Sequence, residues 1–146
     1  MGQQQLLLII LGVIVVGVAV AIAIAAFGDN AADRNRDAVL SDMLHLVAKA
    51  QEYYRRPQVF GGGQSSYVGL SSNLQGLRKL VNTASYPWST SNGMYSIANS
   101  GTTTGVVLRG TGREPGKNDA FPVVVTIAVY PDSFSVVTTG GPTVYN

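Results

Sequence analysis

The sequence predicts an α+β fold: a long N-terminal helix, apolar in its first half and amphipathic in its second, packed on a C-terminal antiparallel sheet of about four strands. Three observations predict it. Residues 6–27 read LLLIILGVIVVGVAVAIAIAAF, twenty-two apolar or glycine residues, and no charged side chain occurs in residues 1–28. About twenty such residues suffice for a helix to cross the hydrocarbon core of a bilayer. From residue 31 the apolar positions thin to one stripe: Val39, Met43, Leu46/Val47, Ala50 and Tyr53/Tyr54 recur at three- and four-residue steps, the period of an amphipathic helix. After Asn92-Gly93 the period becomes two, which is the signature of strands.

Taken in order, the first element is the apolar helix, residues 1–28. Gly28-Asp29-Asn30 is a polar interruption, but no proline occurs before Pro57, so nothing compels a break. Residues 29–56 therefore continue the same helix, with Asp33, Arg36, Asp37, Lys49 and Glu52 falling mainly between the apolar positions. Arg55-Arg56-Pro57 ends it: cations suit a helix C-terminus and proline forbids continuation. The whole rod is about fifty residues, on the order of 75 Å at 1.5 Å per residue. The head comprises residues 57–146 and begins with a connecting αβ loop, 57–92, rich in Gly, Ser, Asn and Gln. Gly61-Gly62-Gly63 marks a turn, and the spacing of Leu70, Leu74, Leu77 and Val81 predicts a short helix around 72–82 despite Gly76.

A β-meander over 93–140 follows, with strands expected at about 94–99, 103–110, 121–130 and 133–139, then a C-terminal tail. The third strand alternates most clearly, with Val123, Val125, Ile127 and Val129 on one face and Val124, Thr126, Ala128 and Tyr130 on the other. Tyr130-Pro131-Asp132-Ser133 is a turn with proline at its favoured second position. It joins strands three and four into a hairpin, and Phe134 and Val136 are expected to continue the inner face. The segment 110–120, GTGREPGKNDA, is read as the loop between strands two and three.

Composition bounds the function. A chain of 146 residues allows one globular domain plus an extension. The head carries five Lys/Arg against three acids, and residues 1–56 carry five against five. A surplus this small makes no case for nucleic acid. There is no cysteine, which excludes disulfides, thiolate chemistry and Cys-type zinc sites. A cleaved secretory signal is not expected, because no Lys or Arg precedes the apolar run and the run is too long.

The start, Met1-Gly2-Gln3-Gln4-Gln5 followed by LLLIILGVIVVGVAVAIAIA, resembles the type IV pilin family in its wide sense, pseudopilins included. The order of elements along the whole chain is similar to that family as well, though only the first 27 residues carry the likeness at motif level. The resemblance implies a leader cut after a glycine by a prepilin peptidase, methylation of the new N-terminus, residence in the inner membrane, and polymerisation by pilus assembly machinery. Two registers fit: a mature chain starting at Gln3 after Gly2, or one starting at Met1, in which Gln5 holds the fifth mature position. Most bacterial pilins have glutamate there, paired with a neighbour's ammonium group. Gln5 accepts a hydrogen bond but cannot neutralise that charge, and an unpaired buried charge is costly. Pilins also often have proline near the twenty-second mature position, where this chain has Ile22.

The residues expected to matter are thus Met1, Gly2, Gln3 and Gln5 for processing and assembly, and Leu8, Gly12, Val16, Gly17, Ala21 and Ile24 for helix packing in a filament core. Small residues let helices approach closely. Catalysis is not expected, nor any cofactor or metal. His45 is the only histidine, so no Ser/His/Asp set or histidine metal site can be assembled. Gly112-Arg113-Glu114-Pro115-Gly116-Lys117 departs from a phosphate loop in glycine spacing, in having Asn118 for Ser/Thr, and in preceding a strand. Asp29, Asp33 and Asp37 share a helix face, and pairing with Arg34 and Arg36 or with a neighbouring subunit is expected before calcium. The expected function is a structural subunit of an extracellular pilus-like filament whose partners are copies of itself. The alternatives are a pseudopilin of a type II secretion system, an archaeal adhesion pilin and a membrane-tethered binding module.

Overall fold

The computed structural model describes residues 2–115 and 122–140. One α-helix, α1, spans Gly2–Arg55 without interruption, 54 residues or about 80 Å. Gly28-Asp29-Asn30 is helical like its flanks. A single 3₁₀ turn follows at Gln58–Phe60, then a short helix α2, Leu74–Arg78. The strands are β1 (Trp88–Ser89), β2 (Gly93–Asn99), β3 (Val106–Pro115), β4 (Pro122–Val129) and β5 (Phe134–Gly140). They form one sheet in the order β1-β2-β3-β4-β5, with every neighbouring pair antiparallel. The long helix on an antiparallel meander is as the sequence implies.

The end of α1 is closed by the chain that follows it. Pro57 has no N–H to donate, and the last helical carbonyls need partners. The loop doubles back to supply them: Gly63 N donates to Tyr53 O at 2.8 Å, Ser65 N to Tyr54 O at 2.8 Å and Gln64 N to Arg56 O at 3.1 Å. Gly61 permits the reversal, with φ of 76°, a conformation costly for a residue bearing Cβ.

The amphipathic stripe lands where its spacing puts it. Val39, Met43, Leu46, Val47, Ala50 and Tyr53 are buried, and α1 packs chiefly on β3 and β4. They meet Ile97, Leu108, Val125, Ile127 and Val129 from the sheet, while Tyr67, Leu70, Leu77 and Leu80 of the αβ loop close the side. The helix crosses β3 at Gly110, where a Cβ would stand 2.9 Å from Met43 Cγ and 3.0 Å from a Val39 methyl. That contact admits only hydrogen, so glycine here sets how closely helix and sheet approach.

Four expectations about the head need correction. The short helix covers 74–78 and not 72–82. Asn73 caps it by accepting from Gly76 N at 3.0 Å, and i→i+3 bonds from Lys79 and Leu80 end it. A two-residue strand, Trp88–Ser89, was not expected and makes five strands where about four were read. The expected loop 110–120 is strand up to Pro115, because Thr111 and Gly112 pair with Met94 and Gly93 of β2 while Pro115 pairs with Pro122 of β4; its residues 116–120 lie outside the described ones. That strand begins at Val106, not 103, since Thr102 folds a turn in which its hydroxyl accepts from Thr104 N and Gly105 N. As expected, Phe134 and Val136 continue the inner face, since they pair with Val129 and Ile127 and share the helix-facing side. Yet they are 47% and 39% exposed, because α1 lies over the middle strands and leaves the edge strand uncovered.

Candidate assembly surface

The head grips α1 along its second half only. Ala32 is the first buried side chain. Just beyond it Asn35 ties three segments together: its Nδ2 donates to Asn92 O at 2.9 Å, and its Oδ1 accepts from Arg113 N at 3.1 Å and Glu114 N at 3.3 Å. Two turns on, Asp42 Oδ2 accepts from Tyr95 Oη at 2.6 Å, Asn92 Nδ2 at 3.0 Å and Thr90 Oγ1 at 3.3 Å. Burial, then the bond to Asp42, push the Tyr95 phenol above its ordinary range, so it remains the donor at neutral pH. Arg113 adds a third tie, donating to Thr90 O at 2.8 Å and Ser89 Oγ at 3.1 Å. The phosphate-loop likeness thus ends in a guanidinium committed to the β1–β2 turn.

From Gly2 to Asn30 every described side chain is exposed, and this free rod is about 45 Å long. Its large side chains between Leu6 and Phe27 are 51% to 74% exposed. A soluble chain does not present a patch of this extent to water. The rod is long and apolar enough to cross a membrane.

The expected assembly residues all lie here, except that Met1 lies outside the described residues. Gly2, Gln3 and Gln5 occupy the first turns of α1. Leu8, Gly12 and Val16 follow one i→i+4 ridge, while Gly17, Ala21 and Ile24 fall on another face about 150° away at about 100° per residue. Leu8, Val16 and Ile24 are exposed, and nothing lies within 4 Å of a Cβ built on Gly12 or Gly17. The helix brings the six residues together as two surfaces on different sides of one rod. Among the described residues nothing covers either surface.

The other features singled out in the sequence assemble no site among the described residues. His45 is exposed on α1, and so are Asp33 and Asp37. Among the described residues no group of three His, Cys, Asp or Glu side chains could hold a metal ion. A hollow lined by Tyr53, Gly61, Gly62, Gly63, Gly69 and Lys79 has no anion-binding nest. The Gly61, Gly62 and Gly63 N–H groups already donate to carbonyls, and Lys79 Nζ donates to Gly69 O at 2.8 Å. Sequence reasoning missed Asn35, Asp42 and Arg113. The only signal was two polar residues seven apart beside the apolar stripe, a spacing that returns to the same side of a helix.

No family model matches this chain, and no curated protein and no solved structure is significantly similar to it.

Proposed function

We propose that this chain is a structural subunit of an extracellular, pilus-like helical filament that polymerises through its N-terminal helix. The observation that carries the reading is the free rod: some 45 Å of uncharged helix, exposed all round and rigidly continuous with the core helix of a polar head. Such a rod is stable only in a bilayer or among other apolar helices. Two packing surfaces on different sides give each copy two neighbours, which extends a bundle where a single surface would stop at a pair. Before assembly the rod resides in the cytoplasmic membrane; afterwards it forms the filament core with the head outside. No step of this role calls for a catalytic group or cofactor. The partners are copies of this chain, together with the peptidase and assembly machinery that the N-terminal motif implies.

Electron microscopy of the purified full chain, and of material sheared from producing cells, tests the reading. Fibres with a helical repeat and an apolar core are expected. A chain that stays in the membrane fraction as single copies would instead be a tethered module, and the filament reading would be lost.

A further inference from the structure

Asn92 is the only asparagine in the chain that is followed by glycine. Such a pair can react with itself. The Gly93 backbone nitrogen, on losing its proton, attacks Asn92 Cγ. A C–N bond forms, the bond from Cγ to Nδ2 breaks, and Nδ2 leaves as ammonia with that proton. Water then opens the resulting cyclic imide at either carbonyl. One opening gives aspartate; the other gives isoaspartate, in which the main chain runs through Cγ. Glycine favours the attack because no Cβ crowds its nitrogen.

The folded head holds each reacting group out of line. The leaving nitrogen, Asn92 Nδ2, donates to Asp42 Oδ2 at 3.0 Å. The nucleophile, Gly93 N, donates to Thr90 Oγ1 at 3.3 Å, and Asn92 N donates to the same oxygen at 3.1 Å. That hydroxyl in turn donates to Asp42 Oδ2 at 3.3 Å. Asn92 O accepts from Asn35 Nδ2 at 2.9 Å, and Gly93 O accepts from Thr90 N at 2.9 Å. Gly93 is buried and paired with Gly112 of β3. A Cβ built on it would stand 2.4 Å from Thr111 O, so its peptide has no room to swing. Asn92 itself is only half-buried, so the water that completes the reaction has access. Two of the restraining residues, Asn35 and Asp42, belong to α1. The lock is therefore the grip of the β1–β2 turn on the helix.

We infer that Asn92 is a self-modification site gated by that grip: it deamidates in copies whose β1–β2 turn has lifted from α1 and is protected in the rest. A reaction confined to the opened form proceeds in proportion to the population of that form. Its product also opposes reclosure. A carboxylate at position 92 faces the Asp42 carboxylate where an amide had donated, and like charges at such a distance repel. Isoaspartate adds a main-chain atom as well and disturbs the pairing of Gly93 with Gly112. Each opening that reacts leaves a permanent mark, so the site records past loosening of the head. The chemistry lies wholly in the head and does not depend on what the rod packs against.

The test incubates the full chain in detergent at mildly alkaline pH and follows the amide-to-acid mass change at Asn92 by peptide mass spectrometry. Exposed Asn99, followed by Ser100, is the internal control. Wild type is compared with itself in urea and with Asp42→Ala and Asn35→Ala, with circular dichroism confirming a folded head. Asn92 should react slowly in the folded wild type and much faster in urea. Either folded variant should raise its rate about tenfold, the shift in opening expected from one lost bond to a charged group, and leave Asn99 unchanged. If Asp42→Ala unfolds the head, Asn35→Ala decides alone. Asn92→Asp should melt below Asn92→Ala, because it adds repulsion to the lost bond. Equal rates at Asn92 in folded and urea-treated wild type would overturn the gate. No acceleration in a folded variant would overturn the part given to α1, and equal melting of Asn92→Asp and Asn92→Ala would overturn the opposition to reclosure.

Discussion

At the residue scale, Asn35, Asp42 and Arg113 tie the head to its helix, and the Tyr95–Asp42 bond makes a measurable prediction. Tyr95 donates to Asp42 from a buried position. Removing the hydroxyl leaves the Asp42 carboxylate short of a donor, which costs about 1.5–3 kcal/mol for a bond to a charged group. Tyr95→Phe should therefore lower head stability by about that amount in urea unfolding at neutral pH. The same residue governs the alkaline limit. Its folded-state pKa is raised by burial, as is that of Tyr67, which burial pushes up to about 12. Both phenols are held protonated in the folded head, while an unfolded tyrosine ionises near about pH 10. Their contribution is intact below about pH 10 and is lost as pH rises through the folded-state values. Circular dichroism should show unfolding that begins above about pH 10, with Tyr95→Phe less pH-dependent there. In the proposed filament, Gln5 at the chain's start would be an acceptor for a neighbour's ammonium group. Gln5→Leu should assemble poorly, and Gln5→Glu should assemble with a new acid sensitivity between about pH 4 and 7. Equal fibre yield from Gln5→Leu would move the start of the mature chain to Gln3.

At the element scale, α1 performs two tasks with one backbone. Its second half is a core helix, where Leu46 is wholly buried. Leu46→Ala should cost about 2–5 kcal/mol in thermal or denaturant unfolding of the head and should not touch the rod. Its first half contributes nothing to the head, so Val16→Asp should leave near-ultraviolet dichroism of the head unchanged while abolishing fibres. Normal fibres from that variant would mean that the rod does not enter an apolar core. This division was legible in the sequence, because hydrophobic period depends on neighbours along the chain. The uncharged run, the stripe from Val39 to Tyr53 and the alternation of β4 each announce their environment locally. What was not legible depends on distant residues. Trp88–Ser89 is a strand only because Tyr95 and Met94 lie beside it. Asn35 and Asp42 look like solvated helix residues until Asn92 and Tyr95 come within reach. Phe134 was read onto the correct side of the sheet, but whether that side is covered depends on the breadth of α1.

At the scale of the whole molecule, a compact head and a free rod meet near Ala32, the first buried side chain. The core consists of residues from Val39 onward. Residues 29–146 alone should thus be soluble and monomeric at concentrations where the full chain assembles, as sedimentation can establish. Polymerisation of that fragment would place the driving force in the head and not in the rod.

The unbroken passage of α1 through Gly28-Asp29-Asn30 also has a mechanical meaning. Any pull on the head travels to the rod along a single helix, with no slack loop or hinge to absorb it. The backbone hydrogen bonds of a helix lie along its axis and so bear that load in series. Gly28 and Asn30 are exposed, and a glycine in a helix interior costs about 1 kcal/mol relative to alanine. This is where the molecule should yield first. A fibre of such subunits should resist small forces stiffly, then lengthen abruptly as this short stretch unwinds in copy after copy, at about 2 Å gained per residue going from the 1.5 Å helical rise to an extended chain. Replacing Gly28 with alanine should raise the force of that step, a change that optical-tweezer extension of single fibres would register.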